Sequence, residues 1–330
     1  MPALLLASTR AMRATRFIAA QAISRTVTKS DTSPVTAADF ASQALIAITL
    51  AEDDATRGIS ILGEEDAQAL AEPAQQGVCA EVCAAVAFAL DRPSVAADEV
   101  LDAIAHAHTP ESALGTRFFA LDPVDGTKGF LRGGQYAIAL ALLEDGIPTL
   151  ATLACPNLPP FTIGQQHELR VDAVGTLAFA QRANGAYELD LRNPSADARE
   201  IHAACGSSTN EIRVASSIES AHSAHDESLR IFAELGCATR HLRLDSQSKY
   251  ALVARGDADL YLRLPTRAGY SECIWDHAAG ALIAQEAGAR ICDLNRNALD
   301  FSTGARLTNN HGILCGDEDL ITRILDVLRR

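Results

Sequence analysis

Strands and helices that alternate along the chain predict a layered α/β fold in two halves. Three observations carry that prediction. Short apolar runs bounded by turn residues, such as 118–121 (FFAL) and 137–143 (AIALALL), have strand length. Ala-rich segments with helical periodicity separate them. Beyond about residue 204, the strand candidates EIRVASSI, DADLYLRL and GARICDL interleave with helix candidates at 228–235, 247–255 and 276–287. A polar, Pro-rich, Gly-punctuated stretch from about 157 to 204 puts the expected seam near its beginning, dividing residues 1–156 from 157–330.

The elements follow in order. The first thirty residues hold Arg10, Arg13, Arg16, Arg25 and Lys29 but no acid. They read as a first helix with Leu6, Met12, Phe17 and Ile18 on its inward face. An Arg-rich, acid-poor segment is also what an organellar transit peptide looks like, so the expected compartment is the cytoplasm with an organelle as the alternative. Next, DTSPVTAADFASQALIAITLAE is extended through Pro34 and then helical, its start marked by Thr36 and Asp39 and its apolar positions running through Leu45 and Ile48. ISILGEED is a short strand followed by acids, and RFFALDPVDGT a buried strand that ends at two aspartates. In YAIALALLEDGIPTLATLACP, an acid-Asp-Gly turn over 144–148 joins two strands.

Composition removes several functions. A net charge of -14 and a pI near 5.0 argue against a protein that grips a nucleic acid backbone, which needs a basic face. No run approaches the ~18 consecutive apolar residues of a membrane span, so no membrane is expected. The eight cysteines are scattered, without a paired Cys-x-x-Cys pattern, which suits a reducing compartment; Cys79 and Cys83 read as core thiols on one helix face. A small phosphorylated ligand is compatible with all of this, because local cations or bound metal override the global sign, and a monomer is the plain expectation.

Three acidic sites carry the chemistry. In Asp122-Pro123-Val124-Asp125-Gly126-Thr127, Pro123 fixes φ and Gly126 takes a conformation barred to other residues, so both carboxylates can point to one side. Hard divalent cations want oxygen ligands, and the Val124 carbonyl adds one. A helix that starts after Thr127 would aim free N–H groups at an anion. The plain alternative is a polar turn. Gly63-Glu64-Glu65-Asp66 also follows an apolar strand; its first acid sits at a sheet edge facing the same cleft, or else opens a helix as its charged first turn. Asp276, after Trp275 and before an Ala-rich helix, is an N-cap or a rigidly held ligand.

These segments, GEED, DPVDGTKGFLRGGQYAIALAL and WDHAAGALIAQEAG, resemble in order and separation the signatures of the lithium-sensitive, magnesium-dependent phosphatases related to inositol monophosphatase. Within that family the chain is similar to the bisphosphate nucleotidase branch through TKSDTSPVTAADFASQAL, CPNLP, SIESAHSAHDE, LDSQSKYALVARGDADLYLRLPT and LDFSTGARLTNNHGIL. The resemblance thins between residues 72 and 112 and again between 161 and 204. It implies an inositol monophosphatase-like α/β/α/β/α fold, with two sheets sandwiched between helix layers. It also implies two or three Mg2+ ions held by Glu64, Asp122, the carbonyl of Val124, Asp125 and Asp276. Asp31 would pair with the Thr127 hydroxyl to orient and deprotonate the attacking water, while Gly126 and Thr127 offer N–H groups to the scissile phosphate. His222, Ser246, Lys249 and Arg263 fall where that branch contacts the nucleotide and its second phosphate, with His225 the neighbour for which His222 is most easily exchanged.

The implied reaction is hydrolysis of the 3'-phosphate of 3'-phosphoadenosine 5'-phosphate, inhibited by Li+, with the sulfonucleotide 3'-phosphoadenosine 5'-phosphosulfate as a further substrate. An inositol phosphate phosphatase on the same fold would share the acids but make no nucleotide contacts with Lys249 and Arg263. A nucleotide sensor without turnover could have lost some of the acids, and this chain retains them.

Overall fold

The computed structural model describes residues 1–24, 33–160, 175–191, 197–206, 211–218, 225–265, 267 and 269–329. Asp31 and His222 lie outside them, and the side chain of His225 is likewise not described.

The chain opens with α1 (Pro2–Ser24) and α2 (Ser33–Glu52), followed by β1 (Ser60–Gly63), the short α3 (Ala67–Ala71), α4 (Gln76–Ala89) and α5 (Ala97–His106). Two arginines of α1 find acids: Arg10 pairs with Glu52 at 2.6 Å and Arg13 with Asp91 at 2.7 Å, while Arg16 donates to the Pro156 carbonyl at 3.4 Å. Met12 and Ile18 face the core as expected, and Phe17 stacks on Phe88. Leu6 does not; it is 47% exposed, because α1 buries the opposite stripe through Leu4, Ala7 and Ala11.

Then come β2 (Arg117–Asp125), α6 (Thr127–Leu131), β3 (Ala137–Glu144) and β4 (Ile147–Cys155). Asp145 and Gly146 both take positive φ, 51° and 75°, the geometry that lets a two-residue turn match the twist of β3 and β4. After these come β5 (Thr176–Gln181), β6 (Ala186–Asp190) and β7 (Arg199–Ile201), which among the described residues make a seven-stranded sheet in chain order, β1 to β7. Residue 157 falls between β4 and β5, inside this run of strands.

Among the described residues, the second sheet has five strands in the order β11-β12-β10-β8-β9. Its elements are β8 (Glu211–Ser216), α7 (His225–Leu235), β9 (Ala238–Arg243), α8 (Ser248–Ala254), β10 (Leu260–Arg263), α9 (Ala278–Glu286), β11 (Arg290–Cys292), β12 (Ile313–Gly316) and α10 (Glu318–Leu328).

Period-two alternation assigns each sheet face to a layer. Phe119 and Leu121 of β2 pack with α1, α2, α4 and α5, whereas Phe118 and Ala120 face α8 and α9. The same middle helices meet Tyr261 and Cys315 of the second sheet, whose other face packs Leu260, Leu262 and Leu314 against Ile231, Phe232, Ile321 and Ile324 of α7 and α10. The result is five layers, α/β/α/β/α. Close approach inside the middle layer depends on Gly280, where a Cβ would lie 2.3 Å from the Tyr250 ring.

Among the described residues, no helix is long and apolar enough to cross a membrane.

Candidate active site

Glu64 and Asp122 meet because β1 and β2 are parallel neighbours with Gly63 opposite Leu121. Each strand therefore delivers its next acid at the same sheet edge, where parallel strands expose their carboxyl ends. Gly63 must be small: a Cβ there would lie 2.5 Å from the Ala107 carbonyl and 2.6 Å from Oε1 of Gln43.

Residues three apart on a regular strand point to opposite faces. Between Asp122 and Asp125 the pairing slips, with Asp122 opposite Ala139 and Asp125 opposite Ala137, so four residues oppose three. That bulge turns both carboxyls into one cleft. Gly126 follows at φ 92° and starts α6; a Cβ there would be strained and would sit 3.0 Å from Cβ of Ser246. Thr127 opens that helix with its side chain exposed at the cleft mouth. Asp276 enters from the other half, just ahead of α9. The N-cap of that helix is His277 rather than Asp276, and it makes no side-chain capping bond.

The cleft, of about 310 Å³, is lined by Glu64, Asp122, Val124, Asp125, Gly126, Thr127, Ser246, Lys249, Arg263 and Asp276, together with Gln247, Asp245, Tyr261 and Tyr270 among others. Every site residue named from the sequence that lies within the described residues is therefore in one place.

The α2 helix adds an acid that the motifs did not single out. Asp39 lies near Glu65, Glu64 and Asp122, and burial, then Glu65 and Glu64, push its carboxyl well above the usual range. One turn later Gln43 clamps the Glu65 backbone, donating to its carbonyl at 2.6 Å and accepting from its N–H at 3.0 Å. The signal available in AADFASQALI was a single acid at a helical position among residues that are otherwise buried.

Electrostatics single out this cluster. Asp122 is 3% exposed, its Oδ1 has no hydrogen-bond partner among the described residues, and burial, then Asp125, Glu64, Asp276 and Asp39, drive its pKa far up. Burial and then Asp125 push Asp276 up to about 8. Burial and then Glu64 push Glu65 up to about 7. Burial and Asp125 also raise Glu64. Burial raises Asp125 too, against Lys249 and the Gln247 N–H that favour its charge. Buried carboxyls that cannot all ionise, one with an orphaned oxygen, have the donor chemistry of a hard divalent cation site. The residues fit the group that the resemblance implies.

Cations of the protein line the same cleft. Lys249 is 4% exposed, donates to the Ser246 carbonyl at 2.7 Å and lies 5.5 Å over the Tyr261 ring. Burial pulls its pKa down to about 8, Asp125 opposing and Arg263 adding to the fall. Arg263 is held by Glu272 through two bonds of 2.7 Å. Burial works against the Glu272 carboxylate, but His277 and Arg263 hold it down at about 2. Glu272, Asp276 and His277 have ligand atoms within 4.8 Å of one another, yet Glu272 is already taken by Arg263. The Ser246 hydroxyl is engaged locally, donating to the Ser248 hydroxyl at 2.9 Å and accepting from its N–H at 3.1 Å, with Ser246 at φ 71°.

Comparisons with known proteins agree with this reading. The family model described as "Inositol monophosphatase family" matches residues 5–329. A 3'(2'),5'-bisphosphate nucleotidase of Schizosaccharomyces pombe is 35% identical over 307 residues, covering 91% of this chain and 85% of that protein. The 3'(2'),5'-bisphosphate nucleotidase 1 of Arabidopsis thaliana is 37% identical over 309 residues, covering 91% and 87%. Among solved structures, the extragenic suppressor protein suhB from Bartonella henselae superposes with a TM-score of 0.61 at 18% identity, covering 100% of this chain and 99% of that one. CysQ from Bacteroides thetaiotaomicron, titled a bacterial member of the inositol monophosphatase family, gives 0.60 at 18% identity with 95% of each chain covered. The sequence resemblance and the five-layer fold are thus borne out, and the chain belongs to the inositol monophosphatase family.

Proposed function

We propose that this protein is a Mg2+-dependent, Li+-sensitive phosphatase that hydrolyses the 3'-phosphate of 3'-phosphoadenosine 5'-phosphate to AMP and phosphate, and that the corresponding phosphosulfate is a second substrate. The observation that carries the reading is one cleft that holds both an acid cluster and two cations, Arg263 and buried Lys249. A bisphosphate needs both, acids that can gather cations for the phosphate that reacts and fixed positive charge for the phosphate that stays. The names of the 34–38% identical relatives point to the same substrate.

Glu64, Asp122, the Val124 carbonyl, Asp125 and Asp276 would hold two or three Mg2+ ions. Bound there, the cations supply the positive charge that an anionic transition state needs and make a bound water more acidic. The chain's own groups do the rest. The Thr127 hydroxyl, with Asp31 as the partner that the resemblance implies, orients the attacking water, and the carboxylate takes the proton; Asp39 is a second acid for that proton. Backbone N–H groups of Gly126 and Thr127 hold the phosphoryl oxygens. Lys249, Arg263, Ser246 and His222 hold the nucleotide and its second phosphate, fixing the reacting phosphorus in line. Water adds to phosphorus, the bond from phosphorus to the 3'-oxygen breaks, that oxygen takes a proton from solvent while the acid returns its own to solvent, and AMP and phosphate result.

The test is phosphate release from 3'-phosphoadenosine 5'-phosphate, inositol 1-phosphate and inositol 1,4-bisphosphate, each with Mg2+ and rising Li+. Fast, lithium-inhibited release from the nucleotide alone is expected. Release from the inositol compounds instead would keep the acids and overturn the substrate, and no release from any would leave a sensor.

A further inference from the structure

Gln247 touches both halves of the acid cluster. Its backbone N–H donates to Oδ2 of Asp125 at 2.5 Å. Its side-chain amide reaches the other way, Nε2 donating to the Trp275 carbonyl at 2.8 Å and Oε1 accepting from the Gly280 N–H at 3.2 Å. A carbonyl can only accept and an N–H only donate, so the two partners dictate which end of the amide is oxygen.

Those two partners bracket Asp276. Trp275 immediately precedes it, and Gly280 is the third residue of α9, whose first-turn N–H groups receive no side-chain bond from the N-cap His277. Gln247 therefore supplies, from another element, the acceptor that the helix start lacks. It is 3% exposed, so neither amide bond competes with bulk water. One residue thus fixes a carboxylate of β2 through its backbone and the segment carrying Asp276 through its side chain.

We propose that Gln247 is a positioning residue that sets Asp276 relative to Asp125 and thereby sets the affinity of the cluster for divalent cations. This rests on reading the cluster as a cation site. A Gln247 that merely capped α9 would stabilise the fold without touching cation affinity, and that difference separates the two roles.

Gln247→Ala deletes both amide bonds and leaves the backbone bond to Asp125. Gln247→Met deletes the same bonds at nearly constant volume, and so covers the case in which the alanine variant does not fold. Mg2+ binding to the substrate-free protein is measured by calorimetry, with the Mg2+-induced rise in Tm as a second readout. Both variants are expected to bind Mg2+ roughly tenfold more weakly than the parent, a factor worth about 1.4 kcal/mol, and to show a smaller Mg2+-induced rise in Tm. Unchanged affinity with a lower metal-free Tm would overturn the proposal in favour of a helix cap. A parent protein that binds no Mg2+ would overturn the cation reading of the cluster, and this role with it.

Discussion

Arg263 and Glu272 form a bidentate ion pair, Nε to Oε1 and Nη2 to Oε2, each at 2.7 Å. Removing the arginine alone would leave a carboxylate facing the place proposed for a phosphate, and an uncompensated charge costs more than the loss of a pair. Arg263→Ala is therefore expected to raise KM for the bisphosphate by about tenfold or more, and Arg263→Ala with Glu272→Ala by less, a non-additivity that a double-mutant cycle reads directly. Additive effects would mean that Glu272 does not govern the arginine.

Proton transfer to Thr127 and its acid partner is tested on turnover. Thr127→Ala should lower kcat by roughly 100-fold or more while ligand affinity holds, because the hydroxyl acts on the water. Asp39→Asn and Asp31→Asn, assayed beside it, separate the two acids: the one that carries the proton reproduces the Thr127→Ala pattern. Near-normal turnover of Thr127→Ala would remove the hydroxyl from the proton path.

The role proposed for Lys249 makes substrate capture pH-dependent. Burial holds its pKa at about 8, so the ammonium is present below that pH and lost above it. The ratio kcat/KM for the bisphosphate should fall as pH rises through about 8, and Lys249→Met should abolish that limb along with most of the discrimination against inositol 1-phosphate. Cations that neutralise Asp125 remove an attraction that favours the charged lysine, so the limb should move to lower pH as Mg2+ is raised. A limb that survives Lys249→Met would belong to another group.

Without metal, the acid cluster should make the fold weaken with rising pH. Its folded-state pKa values lie above those of the unfolded chain, about 7 for Glu65 and about 8 for Asp276. Between the unfolded and folded values the native state binds more protons, so stability is full at the acid end and lost as pH rises through the folded values. Tm in EDTA is expected to fall between about pH 5 and pH 8, and saturating Mg2+ to flatten that slope. A Tm that does not fall over this range in EDTA would show that the carboxyls ionise freely without a cation.

Asp122-Pro-Val-Asp-Gly-Thr, the Asp145-Gly146 turn and the α/β alternation were legible in the sequence because each is set by neighbours along the chain. A fixed φ, a residue free to take positive φ and a period of two or 3.6 are local constraints. The strands β5 to β7 were not legible; they lie in a polar, Gly-punctuated stretch and are short pieces defined by pairing with β4 and with each other. The stripe that α1 buries was also settled elsewhere, since α1 packs on α2, α4 and β4 with Leu4 and Ala7 buried and Leu6 outside.

The sequence by itself determined the acids, their order and the turn that presents two of them. Only the tertiary structure decided who meets whom: Asp39 joining the acids from α2, Glu272 taking Arg263, and Gln247 reaching Asp125 across 122 residues of chain. The reason is geometric. Periodicity says which way a side chain faces on its own element, while the distance between two elements is set by strand register and layer stacking, which appear only when the two sheets close on the helices between them.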